Sequence, residues 1–222
     1  MKKSRVVPIA LVVVVAFSAI TIEKSISSRI TTRVYEVMPR ATDVTASIPL
    51  FDIPGNIVND SIKSVHIDVG QYQLKDSTFK PSLAIDANDI SKSTPNVIGL
   101  LDVTATIPAA TIMQLTDFSD AQIVGNTLQV SVGSGGLGTA VLVPKYSENQ
   151  IYFELQGISL FGNEIPADSL PAEIKDQIKS KSVRTLSPPQ GMSVKSISLS
   201  SQGLALTMQG KNFKAANLGS TF

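Results

Sequence analysis

The residues best suited to chemistry are few in this sequence. His66 is the single histidine, and the chain has no cysteine. His66 falls on the polar phase of an alternating run, which favours an exposed side chain with no catalytic role. No Gly-x-Ser-x-Gly nucleophile elbow accompanies it, and a zinc site needs roughly three or four protein ligands, which one histidine and scattered carboxylates do not supply. We therefore predict no catalytic residue, no metal site and no cofactor, and the lack of cysteine excludes disulfides.

Two short motifs invite a ligand-binding interpretation. The segment from Gly133 to Gly138 fits the G-x-G-x-x-G pattern, but the residues after it are β-branched and apolar and lead to Pro144. A dinucleotide fingerprint requires a helix there, so we interpret the glycines as a turn or bulge between two strands. Asp86 to Asp89 resembles a calcium loop, yet it lacks the required glycine and closing glutamate. We interpret it as a capped turn at a strand end.

The start of the chain has the pattern of an export signal. Three cations, Lys2, Lys3 and Arg5, precede an uncharged run from Val6 to Ile22. We expect residues 1–22 to be a signal anchor or a signal peptide, with a preference for the anchor, and the rest to lie in the cell envelope outside the cytoplasm. The domain is then anchored to the plasma membrane, or secreted if the segment is cleaved.

The charge of the exported part excludes one class of partner. Without the three leading cations, sixteen Lys and Arg stand against eighteen Asp and Glu, so the net charge is near −2. The eight Phe and four Tyr are not interleaved with basic residues. We therefore expect no nucleic acid partner.

Periodicity predicts an α+β fold dominated by strands. Apolar residues with helical spacing predict an amphipathic linker helix over residues 23–40, and residues 41–222 are expected to form one β-rich domain. Short turns at Gly125-Asn126, Ser147 to Asn149 and Ser201 to Gly203 favour hairpins and a mostly antiparallel sheet. Two further helices are expected, one from Pro108 to Leu115 and one carrying Leu170, Ile174 and Ile178. Period-two alternation marks the runs Val65–Val69, Leu101–Ile107, Leu128–Val132, Ile151–Leu155 and Leu204–Met208.

The apolar faces of the sheet and helices can form either a closed core or a groove for a lipid tail. A groove leaves little sequence motif, since acyl chains bind through burial alone at about 0.8 kcal/mol per CH₂. The candidate lipid contacts lie on helical faces or on strands where a groove could open, and each can equally be plain core. They are Phe51, Ile112, Leu115, Phe118, Phe153, Leu170, Ile174 and Ile178.

Four stretches between about residues 25 and 218 carry a family resemblance. They are Ser47 to Phe51, Ala105 to Ile112, Ile165 to Val194, and the turn Ser201 to Leu204. Together they resemble the LmeA-like phospholipid-binding family of actinobacterial envelope proteins. The sequence departs from that pattern with Ser-Pro-Pro-Gln in place of a plain Leu-Pro, and with Ser-Ile-Pro-Leu-Phe in place of Gly-Phe-Pro-Phe.

The resemblance implies a fold and a function. The fold is a curved, mostly antiparallel sheet wrapped around one or two helices, as in tubular lipid-binding proteins, after an N-terminal hydrophobic helix. The function is phospholipid binding at the membrane, in support of lipoglycan (mannan) synthesis or lipid transfer. The alternatives are a non-catalytic envelope scaffold that binds protein or glycan partners through a sheet edge, and a hydrolase.

Overall fold

A computed structural model describes residues 26–49, 60–73, 80–92, 97–116, 118, 120–132, 137–186 and 188–214. The predicted export segment at residues 1–22 and the candidate contact Phe51 lie outside these residues. Among the described residues, no helix has the length and apolar character to cross a membrane.

Strands make up most of the described chain. The helices are α1 (Ile26–Val37), α2 (Ala109–Leu115) and α3 (Ala172–Ser182), and a short 3-10 helix spans Ala167–Ser169. The strands are β1 (Ala41–Ser47), β2 (Ser61–Tyr72), β3 (Ser82–Ser91), β4 (Val97–Pro108), β5 (Ala121–Val124), β6 (Thr127–Val132), β7 (Gly138–Ser147), β8 (Gln150–Leu160), β9 (Asn163–Pro166), β10 (Arg184–Thr185), β11 (Met192–Ser200) and β12 (Gly203–Lys214).

The strands form two sheets. One has the order β1-β2-β3-β4-β12-β11, and the other has the order β10-β8-β7-β6-β5 with β9 paired to β8. The pairs β1–β2 and β2–β3, and all the neighbouring strands of the second sheet, are antiparallel. The prediction of a β-rich, mostly antiparallel fold is confirmed.

Contacts divide the chain into two compact units. Unit 1 contains Thr106–Ser187 and Ile197–Ala205, and unit 2 contains the described residues up to Ala105 together with Pro188–Ser196 and those from Leu206 on. In unit 2, Ile30 and Val34 of α1 are buried, as their spacing predicts. Unit 1 has its own apolar core, in which Leu128, Leu142 and Leu155 occupy neighbouring strands.

The predicted hairpin turns are confirmed where turn chemistry is local. Gly125-Asn126 joins β5 to β6, and Ser201-Gln202 joins β11 to β12. Glu148 and Asn149, between β7 and β8, have φ values of 51° and 58°. Positive φ at both central residues is the requirement of the type I′ turn, whose twist matches that of the flanking strands.

Two local predictions are wrong. Asp86 to Asp89 is not a capped turn at a strand end but lies inside β3. Asp89 has a φ of 54°, and the facing position on β4 is Gly99, where a Cβ would approach the Cβ of Asp89 to 2.9 Å. Leu170 precedes the helix expected to carry it, because the residue before a proline is disfavoured in helical conformation; α3 begins at Ala172, after Pro171.

Candidate functional site

Unit 1 contains a cavity of about 350 Å³ between α3 and the inner face of β6, β7 and β8. Most of its wall is apolar, and the polar residues belong to α3 and β6. The lining residues are Phe118, Val130, Ser131, Val132, Ala140, Leu142, Ile158, Ile174, Gln177, Ile178 and Lys181.

Strand register explains why the sheet leaves a hollow here. Val130 on β6 pairs with Ala140 on β7, and Ala140 pairs with Ile158 on β8. The short side chain of Ala140 therefore lies between two long ones in the middle of a row, which creates a depression on the central strand. Ala140 and Leu142 are completely buried and form the floor.

In the next row of paired residues, the side chain that β7 contributes is smaller still. Val132 pairs with Gly138, which pairs with Leu160. A Cβ at Gly138 would lie 2.4 Å from Leu160 Cδ2 and 2.8 Å from the carbonyl oxygen of Ser159, so the register leaves no room for a side chain. Gly138 and Ala140 thus give β7 two successive small residues on its inner face.

Helix α3 covers the hollow and is fixed at its carboxyl end. The hydroxyl of Ser182 is buried, accepts a hydrogen bond from the backbone N–H of Phe153 at 2.9 Å, and donates to the carbonyl of Lys179 at 3.1 Å. Lys179 Nζ also lies 4.3 Å from the centroid of the Tyr152 ring. These contacts hold α3 against β8 with the half-buried Ile174 and Ile178 turned to the cavity.

The rim of the cavity is polar. Ser131, Gln177 and Lys181 are exposed, whereas the floor is apolar. Lysine side chains keep their charged group in water while the alkyl stem lies along an apolar surface. This arrangement suits an amphiphile whose chain enters the cavity and whose head group is anionic.

The structure brings together some of the predicted contact residues and separates others. Phe118, Ile174 and Ile178 line the cavity. Ile112 and Phe153 are core residues with 1% and 3% of their surface exposed. Leu170 is half-buried against that core, Leu115 belongs to α2 but its side chain lies outside the described set, and Phe51 is outside it altogether.

Sequence reasoning missed the sheet side of the cavity. Val132, Ala140, Ile158 and Lys181 were not among the predicted contacts, although they line it. The sequence signal for Ala140 is its small size, since it stands between Gly138 and Leu142 on the inner face of an otherwise bulky apolar strand. The register that places Val130 and Ile158 beside it is not readable from one strand.

His66 lies on the polar face of β2, as predicted, but it is held by two acidic residues. Its Nδ1 lies 2.6 Å from Asp86 Oδ1 and its Nε2 lies 2.9 Å from Asp68 Oδ2. Ionised carboxylates only accept hydrogen bonds, so both contacts are satisfied together when the ring is protonated and each nitrogen donates. No nitrogen is left to take a proton from a serine, so this geometry does not form a Ser-His-Asp triad.

Within the described ranges, no group of three or more His, Cys, Asp or Glu side chains is placed to hold a metal.

The pKa of His66 is raised above 6.5, first by the hydrogen bond to Asp86, with the charges of Asp68 and Asp86 adding to it and burial opposing it. A raised folded-state pKa stabilises the fold below the unfolded pKa, and this stabilisation disappears as pH rises through the folded value. The His66–Asp86 pair is partly exposed, with 39% of the His66 side chain accessible, so its contribution to the free energy of unfolding is about 1 kcal/mol or less.

We therefore expect the unfolding midpoint of the wild type to exceed that of His66→Gln at pH 6 and the difference to shrink by pH 9. Thermal unfolding followed by circular dichroism over this range measures it. A difference that stays constant or grows with pH would contradict the assignment of a protonated, doubly paired ring.

No protein-family model, curated protein or solved structure matches this chain. The cavity and its rim are therefore the features that bear on the function of this chain.

Proposed function

We propose that the protein is an exported, membrane-associated lipid-binding protein of the cell envelope, and that the unit 1 cavity holds an acyl chain. The observation that carries this proposal is an apolar cavity with the exposed cation of Lys181 at its rim. Its volume of about 350 Å³ falls within the range of roughly 300–1,000 Å³ typical of small-molecule sites.

The chemistry of the cavity favours an acyl chain over a polar ligand. A water molecule has about 30 Å³ in the liquid and a methylene is of similar size, so the cavity accommodates about a dozen such groups. At about 0.8 kcal/mol per buried CH₂, a dozen methylenes contribute about 10 kcal/mol before the costs of association. The floor residues Ala140 and Leu142 offer no side-chain hydrogen bond that a sugar or nucleotide would need.

The proposal includes the finer features implied by the LmeA-like resemblance. In it, the sheet curves around α3, the ligand is a phospholipid or a related membrane lipid, and the protein supports lipoglycan (mannan) synthesis or lipid transfer without catalysis. The hydrophobic run of residues 6–22 keeps the domain at the membrane, where a lipid reaches the cavity without crossing much water.

Lys181 is the residue that we expect to select the head group. Reversing the charge of this side chain in Lys181→Glu is expected to weaken binding of a fatty acid about fivefold to tenfold, because one exposed ion pair contributes about 1 kcal/mol. Binding of the uncharged alcohol with the same chain is expected to stay unchanged. Competition against a fluorescent fatty acid measures both ligands.

Lys175→Glu is the matched control, since Lys175 belongs to the same helix but does not line the cavity. If Lys175→Glu weakens fatty-acid binding as much as Lys181→Glu, the effect belongs to the overall charge of the helix, and the head-group role of Lys181 is wrong.

The test of the proposed function is the lipid content of the protein itself. Residues 25–222 are expressed, purified without detergent and extracted with organic solvent, and the extract is analysed by mass spectrometry. We expect co-purified lipid near one molecule per chain, and uptake of labelled lipid from liposomes. Absence of both results would refute the proposal.

A second candidate function is a scaffold for protein or glycan partners. It is favoured by β11, which lies at the edge of its sheet and has exposed residues at five of its nine positions. An unpaired strand edge can add an extended peptide by backbone hydrogen bonding. Lys195 stands on this strand, however, and lysine on an edge is a common device against such pairing. A lipid-free preparation would shift the preference to this function.

A further inference from the structure

The end of unit 1 next to the cavity exposes two large apolar side chains. Phe161, in the turn between β8 and β9, has 79% of its surface exposed, and Leu137, just before β7, has 52%. Gly138 pairs with Leu160, and Leu137 and Phe161 are the residues immediately beyond that pair along the chain. We call Leu137, Phe161 and Gly162 the apolar tip.

The turn that presents Phe161 does not favour a phenylalanine. Phe161 and Gly162 have φ values of 50° and 81°, and positive φ at both central residues is the pattern of a type I′ turn, for which Asn-Gly is preferred. A bulky residue with positive φ is an outlier, and strained residues are concentrated at functional sites. The fold therefore exposes an aromatic ring at a position where neither the backbone conformation nor core packing favours phenylalanine.

Charged residues are sparse around the apolar tip, and the nearest one along the chain is Glu164, which is exposed on β9 two positions after Gly162. There is no Asp, Glu, Lys or Arg from Ala121 to Pro144 or from Leu155 to Asn163. These segments contain the ends of β6 and β8 and the start of β7, which meet at the tip. Entry of this end into a membrane interface would thus not require the dehydration of a charged side chain from either segment.

The apolar tip adjoins the cavity. Val132 and Ile158 line the cavity. Val132 pairs with Gly138, the neighbour of Leu137, and Ile158 lies three positions before Phe161. A surface that docks at the tip would meet the cavity wall within one to three residue positions.

We propose that the apolar tip inserts into the interface of a lipid bilayer and so places the cavity beside the acyl chains from which it is filled. This inference rests on the proposed function for the identity of the cargo. A bilayer fits better than a protein partner, because Leu137, Phe161 and Gly162 are three residues, whereas a stable protein interface has roughly 20–30 residues on each side. Attachment by uncharged apolar residues is expected to be insensitive to salt.

The test uses the full chain, which contains no tryptophan, so that a single introduced indole reports its own surroundings. Phe161→Trp is reconstituted with phosphatidylcholine vesicles that carry brominated acyl chains. We expect blue-shifted emission that the bromines quench, and equal quenching in low and high salt. The control is Val124→Trp: Val124 is 45% exposed and lies at the β5–β6 turn, at the other end of β6. Its emission is expected to remain that of an indole in water.

A second variant distinguishes a loss of membrane docking from a loss of the fold. Phe161→Asn restores the preferred Asn-Gly turn, so its unfolding midpoint is expected to be above that of the wild type. Its rate of fatty-acid uptake from phosphatidylcholine vesicles is expected to fall about tenfold, which corresponds to the loss of a buried phenylalanine side chain. Its equilibrium occupancy in vesicle-free solution is expected to be unchanged.

The two proposals fail in different ways. An unquenched indole in Phe161→Trp, or equal quenching in Val124→Trp, would overturn the docking inference even if lipid is found in the cavity. Unchanged uptake by Phe161→Asn would overturn it as well. A quenched indole in a chain that carries no lipid would support the docking surface and refute the cavity as the lipid site.

Discussion

The double substitution Ile174→Trp and Ile178→Trp is expected to weaken acyl-chain binding about fiftyfold. Both isoleucines are half-buried on α3 and line the cavity, so two indoles take up space that the ligand chain would fill. Displacement of about three methylenes at about 0.8 kcal/mol each corresponds to roughly 2.4 kcal/mol, or about fiftyfold in the dissociation constant. Titration with a fluorescent fatty acid measures the change.

The matched control is Ile123→Trp. Ile123 of β5 also packs half-buried against the unit 1 core but does not line the cavity. Its affinity for the fatty acid is expected to equal that of the wild type, and the unfolding midpoints of both variants show whether the fold is kept. If the control loses affinity as strongly as the double variant, or if the double variant binds normally, the cavity is not the ligand site.

Gly203→Ala is expected to have the largest effect on stability, with a loss of about 4 kcal/mol. Gly203 is buried, has a φ of 139°, and an added Cβ would lie 1.9 Å from the carbonyl oxygen of Ile107. That oxygen belongs to the junction of β4 and α2, where the backbone N–H of Ala109 also donates to the carbonyl of Gln202 at 3.2 Å. Backbone strain and overpacking cost about 1–3 kcal/mol each.

The unfolding midpoint of Gly203→Ala is accordingly expected to fall by about 10 °C in a thermal melt followed by circular dichroism. Gly125→Ala provides the comparison, since Gly125 has a φ of 61° but no atom within 4 Å of an added Cβ. The left-handed conformation alone costs about 1–2 kcal/mol. Equal losses in the two variants would show that the contact with Ile107 contributes nothing.

Local signals in the sequence predicted the elements of this fold well. Alternation from Leu101 to Ile107 corresponds to the part of β4 in which the odd-numbered residues are buried, since the pleat alone fixes which side chains share a face. The turn at Gly125-Asn126 was likewise readable, because the conformational freedom of glycine acts on its own residue. Leu170 was misplaced for a local reason as well, because Pro171 disfavours a helical conformation at the residue before it and the helix begins after the proline.

The candidate site was only partly predictable, because it depends on which strands are neighbours. Ile174 and Ile178 were found from helical spacing, which is a property of one segment. Ala140 becomes the floor of a cavity only when Val130 and Ile158 stand beside it, and this pairing joins residues that are distant in sequence. The partner Asp86 of His66 was missed for the same reason, since it belongs to the next strand.

The most direct test of the account is to find where a bound acyl chain lies. The full chain is loaded with a fatty acid that carries a diazirine at the end of its chain, irradiated, digested and mapped by mass spectrometry, with and without excess unlabelled fatty acid. We predict competable adducts on peptides that contain Val130 to Leu142 and Ile158 to Lys181. Adducts confined to the residues up to Ala105, or the absence of any competable adduct, would contradict a lipid site in the unit 1 cavity.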